Sequence, residues 1–386
     1  MTLLSPSFKV RHLILAVALI TGPGFVNHAN AQIAALLVDL DSRTAIDLGT
    51  LGGDWSYVSG INDAGQVVGN SYTADGNDNY HAFITGPDGV GMRDLGTLGG
   101  RWSEAYGIND AGQVVGNSYT ADGNDNYHAF ITGPDGVGMR DLGTLGGTYS
   151  IARDINDAGQ VVGGSYTANS GEHAFITGPD GVGMRDLGSL GGGWSYANGI
   201  NDGGQVVGGS IRADSNSHAF ITGPDGVGMR DLGALGGGWS YARDINDAGQ
   251  VVGYSFTAEG NSHAFITGPD GMGMRDLSTL GGSWSNALGI NDAGQVVGDS
   301  LTGEGNSHAF ITGPDGEGMM DLNSLVDLPQ GVILSQAVDI NNNGQVIAMG
   351  VMGVIPEPEA YALMLAGLGL VGFMARRKKM ENLKRY

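Results

Sequence analysis

The sequence predicts an all-β fold, a β-propeller of four-stranded blades, and three observations predict it. A unit of 45 to 47 residues recurs along most of the chain, a period that marks repeat architectures. Each unit carries two tight-turn signals, Asn-Asp-Ala-Gly and Gly-Pro-Asp-Gly, separated by runs rich in β-branched and aromatic residues. Those runs place apolar groups on both faces of a strand, as in Val67-Val68 and Phe83-Ile84, so both faces of the sheet need a cover. Blades packed around an axis supply that cover. A parallel β-helix has shorter coils and no use for two hairpin turns per period.

Composition narrows the function classes before any motif is considered. The 71 glycines exceed the usual ~7% of a globular chain, but they sit at set places in each unit and follow no three-residue period. They suit many tight turns joining short strands. With no cysteine, disulfides, thiolate metal sites and cysteine nucleophiles are excluded. Gln32 to Ile355 holds ten Arg, no Lys and 37 of the 40 acidic residues, a net charge of −27. Such a body repels phosphate backbones and anionic lipid, which excludes nucleic acid as a partner.

Taken in order, residues 1–31 read as a signal peptide. Lys9, Arg11 and His12 precede the apolar run Leu13 to Ile20, which is too short to span a bilayer, and Ala29-Asn30-Ala31 offers signal peptidase a small-x-small site. The mature chain then begins at Gln32. Residues 32–350 form the repeat array. Its first full copy, Trp55 to Gly100, reads WSYVSGINDAGQVVGNSYTADGNDNYHAFITGPDGVGMRDLGTLGG, and Gly60 to Gly100 recurs unchanged as Gly107 to Gly147.

Within one unit the first strand leads into Ile61, and Asn62 to Gly65 turn it back, with Gly65 supplying positive φ. The second runs from Gln66 onward and the third covers His81 to Thr85. Pro87-Asp88-Gly89 closes the next turn, and the fourth strand spans about Gly91 to Leu95. The early and late periods differ by two residues in the polar segment Ala74 to Tyr80, which reads as a loop in water.

Six His-Ala-Phe strands stand against seven copies of the Asp-Leu-Gly and Ile-Asn-Asp markers. Ala34 to Val38 and Thr44 to Asp47 supply a third and fourth strand at one end. Ala337 to Ile340 and Gln345 to Ala348 supply a first and second at the other. Joined, they make a composite seventh blade that closes the ring without free edges. An open array of six units with a separate cap is the alternative.

Residues 351–386 hold Val354-Ile355-Pro356-Glu357-Pro358-Glu359, the apolar run Ala360 to Ala375, and Arg376-Arg377-Lys378-Lys379. The layout is a polar break, a short membrane segment and a positive cytoplasmic anchor, a transient hold on the inner membrane. It resembles a PEP-CTERM sorting signal, with Pro356, Glu357 and Pro358 as the motif and Arg376 and Arg377 opening the basic tail. The resemblance implies cleavage by an exosortase in a Gram-negative bacterium and delivery to the cell surface or exopolysaccharide matrix. Met380 to Tyr386 extends beyond the usual short ending. The repeats are similar to the HAF family of extracellular repeats, named for the tripeptide at His81-Ala82-Phe83, a resemblance that covers nearly the whole mature chain and brings no known activity.

Three residue sets invite a chemical reading. The six histidines, His81, His128, His173, His218, His263 and His308, suit metal if they converge, and otherwise a hydrogen bond to Ser or Asp inside each blade; the latter is the expectation, with no metal and no cofactor. Trp55, Trp102, Tyr149, Trp194, Trp239 and Trp284 share one connection between units. They either wedge between blades or line a rim where flat faces stack on sugars. Asp75, Asn77 and Asn79 alternate as in a calcium loop but lack its turn glycine, so a solvated loop tip is expected. The near-identical units offer no singular pair of carboxylates for a glycosidase. The expected function is therefore a secreted, non-catalytic structural or interaction protein, with a carbohydrate-binding propeller as the alternative and a glycan-active enzyme third.

Overall fold

Each repeat folds into one antiparallel sheet because its turns reverse the chain at set places and its apolar pairs demand cover on two sides. A computed structural model describes residues 33–74, 79–121, 126–169 and 171–352. In the first full blade the strands are β3 (Gly52–Ile61), β4 (Val67–Thr73), β5 (Tyr80–Ile84) and β6 (Arg93–Asp94), hydrogen-bonded in that order. Five more blades repeat the pattern. The seventh has the order β2 (Thr44–Asp47), β1 (Ile33–Asp39), β28 (Gln345–Met352), β27 (Val332–Ile340), so strands from the two ends of the array share one sheet. The fold is a seven-bladed propeller, and the open six-unit array is excluded.

The turn chemistry is local. Asn62 Oδ1 accepts from Gln66 N at 2.9 Å, and Gly65, at φ 71°, closes the reversal. In the second turn Asp88 joins Gly89 in the left-handed region, at φ 54° and 72°, a conformation that Asp tolerates. Between them the pairing of β3 with β4 slips by one residue after Val58. At this bulge the two backbones approach so closely that a Cβ on Gly69 would lie 1.9 Å from the Tyr57 carbonyl oxygen.

Packing runs from blade to blade. Val67 and Phe83 bury themselves against the seventh blade's Leu37 and Ile347, while Val68, Ala82 and Ile84 meet Ala105, Ile108 and Phe130 of the next blade. A Phe at the Phe83 position is fully buried in six blades, each worth about 1.5–3 kcal/mol of hydrophobic transfer. In five blades the serine after the rim aromatic pins neighbours together. Ser103 Oγ accepts from Ala82 N at 2.9 Å, and Ser150, Ser195, Ser240 and Ser285 repeat the contact.

The ring closes with hydrogen bonds around the axis. The side-chain amide of Asn62 donates to the Asn109 carbonyl at 3.1 Å, and the relay continues through Asn156, Asn201, Asn246, Asn291 and Asn341, which returns to Asn62 at 3.0 Å. A second relay of backbone N–H to side chain runs from Asp63 through Asp110, Asp157, Asp202, Asp247, Asp292 and Asn342 back to Asp63. These seven turns narrow one end of the channel.

Candidate functional site

The first strand of each blade lies innermost and lines a central cavity of about 400 Å³. Apart from Ile61 and Ile108, the inner-strand residues that line it in the six full blades fall two, four or five places after the rim aromatic, positions at which the repeats differ. Two after, the residues are Tyr57, Glu104, Ile151, Tyr196, Tyr241 and Asn286; four after, Ser59, Tyr106, Arg153, Asn198, Arg243 and Leu288; five after, Gly60, Gly107, Asp154, Gly199, Asp244 and Gly289. The seventh blade contributes Gln336, Val338 and Asp339. The units are thus near-identical in the shell and depart from one another at the axis.

The three aspartates tie adjacent inner strands together. Asp154 accepts from its own neighbour Ile155 N at 2.8 Å and from Ile200 N of the next blade at 2.9 Å. Asp244 does the same with Ile245 and Ile290, at 2.7 and 3.0 Å, and Asp339 with Ile340 and Ile61, at 2.8 and 3.2 Å. Protein surrounds each carboxyl although it faces the cavity. Burial pushes Asp154 up to about 6 against these N–H bonds. Burial also lifts Asp339, to about 7, and raises Asp244 well above the carboxylate range, where the Asp339 and Asp154 charges add to it.

Above them stand two guanidiniums. Arg153 lies over the Tyr106 ring at 4.5 Å and Arg243 over Tyr254 at 5.5 Å, with Tyr254 stacked on Tyr241 at 5.0 Å. Asn198 lies on the blade between them, its amide donating to the Ala242 carbonyl at 2.7 Å. Leu288 and Val338, on the two blades that follow Arg243, give that part of the wall an apolar character. Arg243 Nε and Asn286 Oδ1 are buried without a hydrogen-bond partner.

The residues that the sequence singled out sit elsewhere. Each of the six histidines pairs inside its blade, as His81 Nδ1 does with Asp94 Oδ2 at 2.8 Å and His308 with Asp321 at 2.7 Å. The rim aromatics belong to the innermost strands, not to a connection between units; Trp55 lies within β3. They join second- and third-strand tyrosines in one chain, Trp55-Tyr72-Tyr80-Trp102-Tyr119-Tyr127-Tyr149-Tyr166-Trp194, with successive centroids 4.7 to 6.0 Å apart. Trp194 and Trp239 are each 43% exposed, whereas Trp55, Trp102, Tyr149 and Trp284 are half-buried.

Asp75 and Asn77 lie outside the described residues, and the Asn79 carbonyl accepts from Thr73 N. No cluster of three metal-ligating side chains occurs among the described residues. Ala29, Ala31, Pro356, Glu357, Pro358, Arg376 and Arg377 also lie outside them. So does the apolar run Ala360 to Ala375. No helix among the described residues is long and apolar enough to cross a membrane.

Residues 354–378 match the PEP-CTERM protein-sorting motif. The motif marks the chain for exosortase recognition, export and surface targeting. Comparison with curated proteins finds no match. Among solved structures, a puromycin-hydrolyzing peptidase from Mycobacterium tuberculosis is similar at 12% identity and TM-score 0.51, covering 83% of this chain and 58% of its own. A prolyl endopeptidase is similar at 13% identity and TM-score 0.51, covering 78% of this chain and 46% of its own. TolB from Acinetobacter baumannii follows at 10% identity and TM-score 0.45, with 84% and 64% covered. At such identity the likeness concerns the propeller fold alone.

Proposed function

We propose that this chain is a secreted, exosortase-processed, non-catalytic interaction protein of the bacterial cell surface or exopolysaccharide matrix, built from HAF-type repeats. The sorting motif at residues 354–378 carries the reading. The repeated residues support it, since the His–Asp pairs, the serine contacts and the asparagine relay are accounted for by holding blades together. Fractionating cells that express tagged protein with and without Pro356 to Lys379 tests it. Loss of surface delivery is expected on truncation; unchanged surface location refutes the sorting role.

A second reading, glycan binding by the aromatic face, is favoured by Trp194 and Trp239, which expose large rings on adjacent blades. Replacing both with Ala should abolish retention on the native exopolysaccharide while the propeller stays folded. Full retention by the folded double variant rejects this reading.

A further inference from the structure

The ten arginines of the array fall into distinct situations. Arg93, Arg140, Arg185, Arg230 and Arg275 each donate to a carbonyl of the next blade's Pro-Asp-Gly turn, and Arg212 pairs with Asp214 and Asp231. Arg153 and Arg243 differ. Both point into the axial cavity, neither donates a hydrogen bond, and neither has a carboxylate within 4.0 Å among the described residues. A guanidinium offers five N–H donors; Arg243 Nε is buried without a partner, at a cost of about 1–3 kcal/mol. Glu172 and Asp299 feel the charges of Arg153 and Arg243, respectively, yet neither carboxylate comes within 4.0 Å, so both guanidiniums keep donors free for a group from outside.

We infer that the axial cavity is a binding site for a small organic carboxylate of sugar-acid size, held by Arg153, Asn198 and Arg243. The three residues come from consecutive blades and occupy the same position of the inner strand, so they form one arc of the wall. Arg153 and Arg243 each lie over a tyrosine ring, Tyr106 and Tyr254, contacts that use none of the N–H donors, which suit a bidentate carboxylate. Leu288 and Val338, on the two blades that follow Arg243, suit the carbon skeleton. The cavity, at about 400 Å³, is within the range of small-ligand sites. The aspartate layer does not make the site a cation site, because both oxygens of Asp154, Asp244 and Asp339 already accept backbone N–H groups. This site is separate from the exposed tryptophans, and its test does not depend on polysaccharide retention.

Isothermal titration of purified full-length protein with D-glucuronate and D-galacturonate, against D-glucose and inorganic phosphate, decides the matter. Binding of at least one uronate is expected, with no heat from glucose and at least tenfold weaker binding of phosphate. Arg153→Met with Arg243→Met should abolish uronate binding, and Asn198→Ala should weaken it severalfold. Thermal unfolding of each variant without ligand establishes that the fold persists, and Asn198→Ala serves if the double variant does not fold. No uronate binding, equal response to glucose or phosphate, or undiminished binding by a folded arginine or Asn198 variant overturns the assignment.

Discussion

Raising the pH from 4.5 to 8 is expected to weaken the propeller through its axial aspartates, and Asp154→Asn isolates the effect. The folded Asp154 carboxyl titrates at about 6 against an ordinary value of 3.8, so the folded state holds its proton more tightly than the unfolded chain does. The stabilisation is fully present below the unfolded value and is lost as pH rises through about 6. The difference is worth about 3 kcal/mol as an upper value, since the carboxyl faces the cavity and solvent there screens it. Asp339 and Asp244 act in the same direction. Asp94, lowered by its bond to His81 in spite of burial, acts in the opposite one, so the total pH profile mixes signs. The comparison with Asp154→Asn cancels the Asp94 contribution, and because the Asp154 charge also raises Asp244 and Asp339, its removal lowers both and shifts the variant in the same direction. Asn stays neutral, and its mismatch with one of the two Ile N–H groups is the same at both pH values. Urea unfolding of both proteins at pH 4.5 and 8 should show the variant gaining on wild type by about 1–3 kcal/mol at the higher pH. A gap that is unchanged, or that moves toward wild type at pH 8, refutes the reasoning.

Three further outcomes follow from the shell. Gly163→Ala puts a Cβ 1.9 Å from the Ile151 carbonyl oxygen and should prevent folding or cost more than about 3 kcal/mol, while Gly183→Ala, with open space at φ 73°, should cost only about 1–2 kcal/mol; equal melting temperatures for the two would contradict the bulge argument. Asn201→Ala removes bonds to the Asn246 carbonyl and Gln205 Oε1 and strands Gln205 N, a loss of about 2–4 kcal/mol in denaturant titration, and a loss under about 0.5 kcal/mol would show the axial relay to be dispensable. Deleting residues 33–47 uncovers the β28 edge, so light scattering should detect self-association; a stable monomer would mean that the composite blade does not protect that edge.

The shell was legible because its signals are local. Val67-Val68 and Phe83-Ile84 announce a two-faced sheet, Gly65 and Gly89 announce reversals, and six third strands against seven flanking markers announce a blade shared by the two ends. Each of these depends on a few neighbouring residues and their chemistry. The asparagine relay and the serine contacts were less legible, because Asn62 and Ser103 find their partners one full blade away. The axial residues were hidden for a different reason. Reading a repeat means attending to what recurs, whereas Arg153, Arg243, Asp154, Asp244 and Asp339 are departures from the repeat. Aligning the copies and asking where they disagree, two, four and five residues past the rim aromatic, would have found them.

Divergence at the axis has two causes that the geometry separates. Seven copies of any inward side chain meet near one line, so some positions must differ for packing reasons alone. The layer five residues past the rim aromatic is of this kind. Wherever the next blade carries Asp, the preceding blade carries Gly: a Cβ on Gly107 would lie 3.1 Å from Asp154 Oδ1, on Gly199 3.3 Å from Asp244 Oδ1, and on Gly289 2.7 Å from Asp339 Oδ1. Gly107→Asp would set a second carboxylate against Asp154, and the Asp–Gly alternation is thereby explained without a ligand. The layer one residue earlier resists that explanation. Among the described residues Arg153 and Arg243 make no hydrogen bond and have no carboxylate within 4.0 Å, and blades with Ser59 or Leu288 at the same height show that the fold does not need a cation there. Packing accounts for the aspartates, and a carboxylate from outside accounts for the arginines.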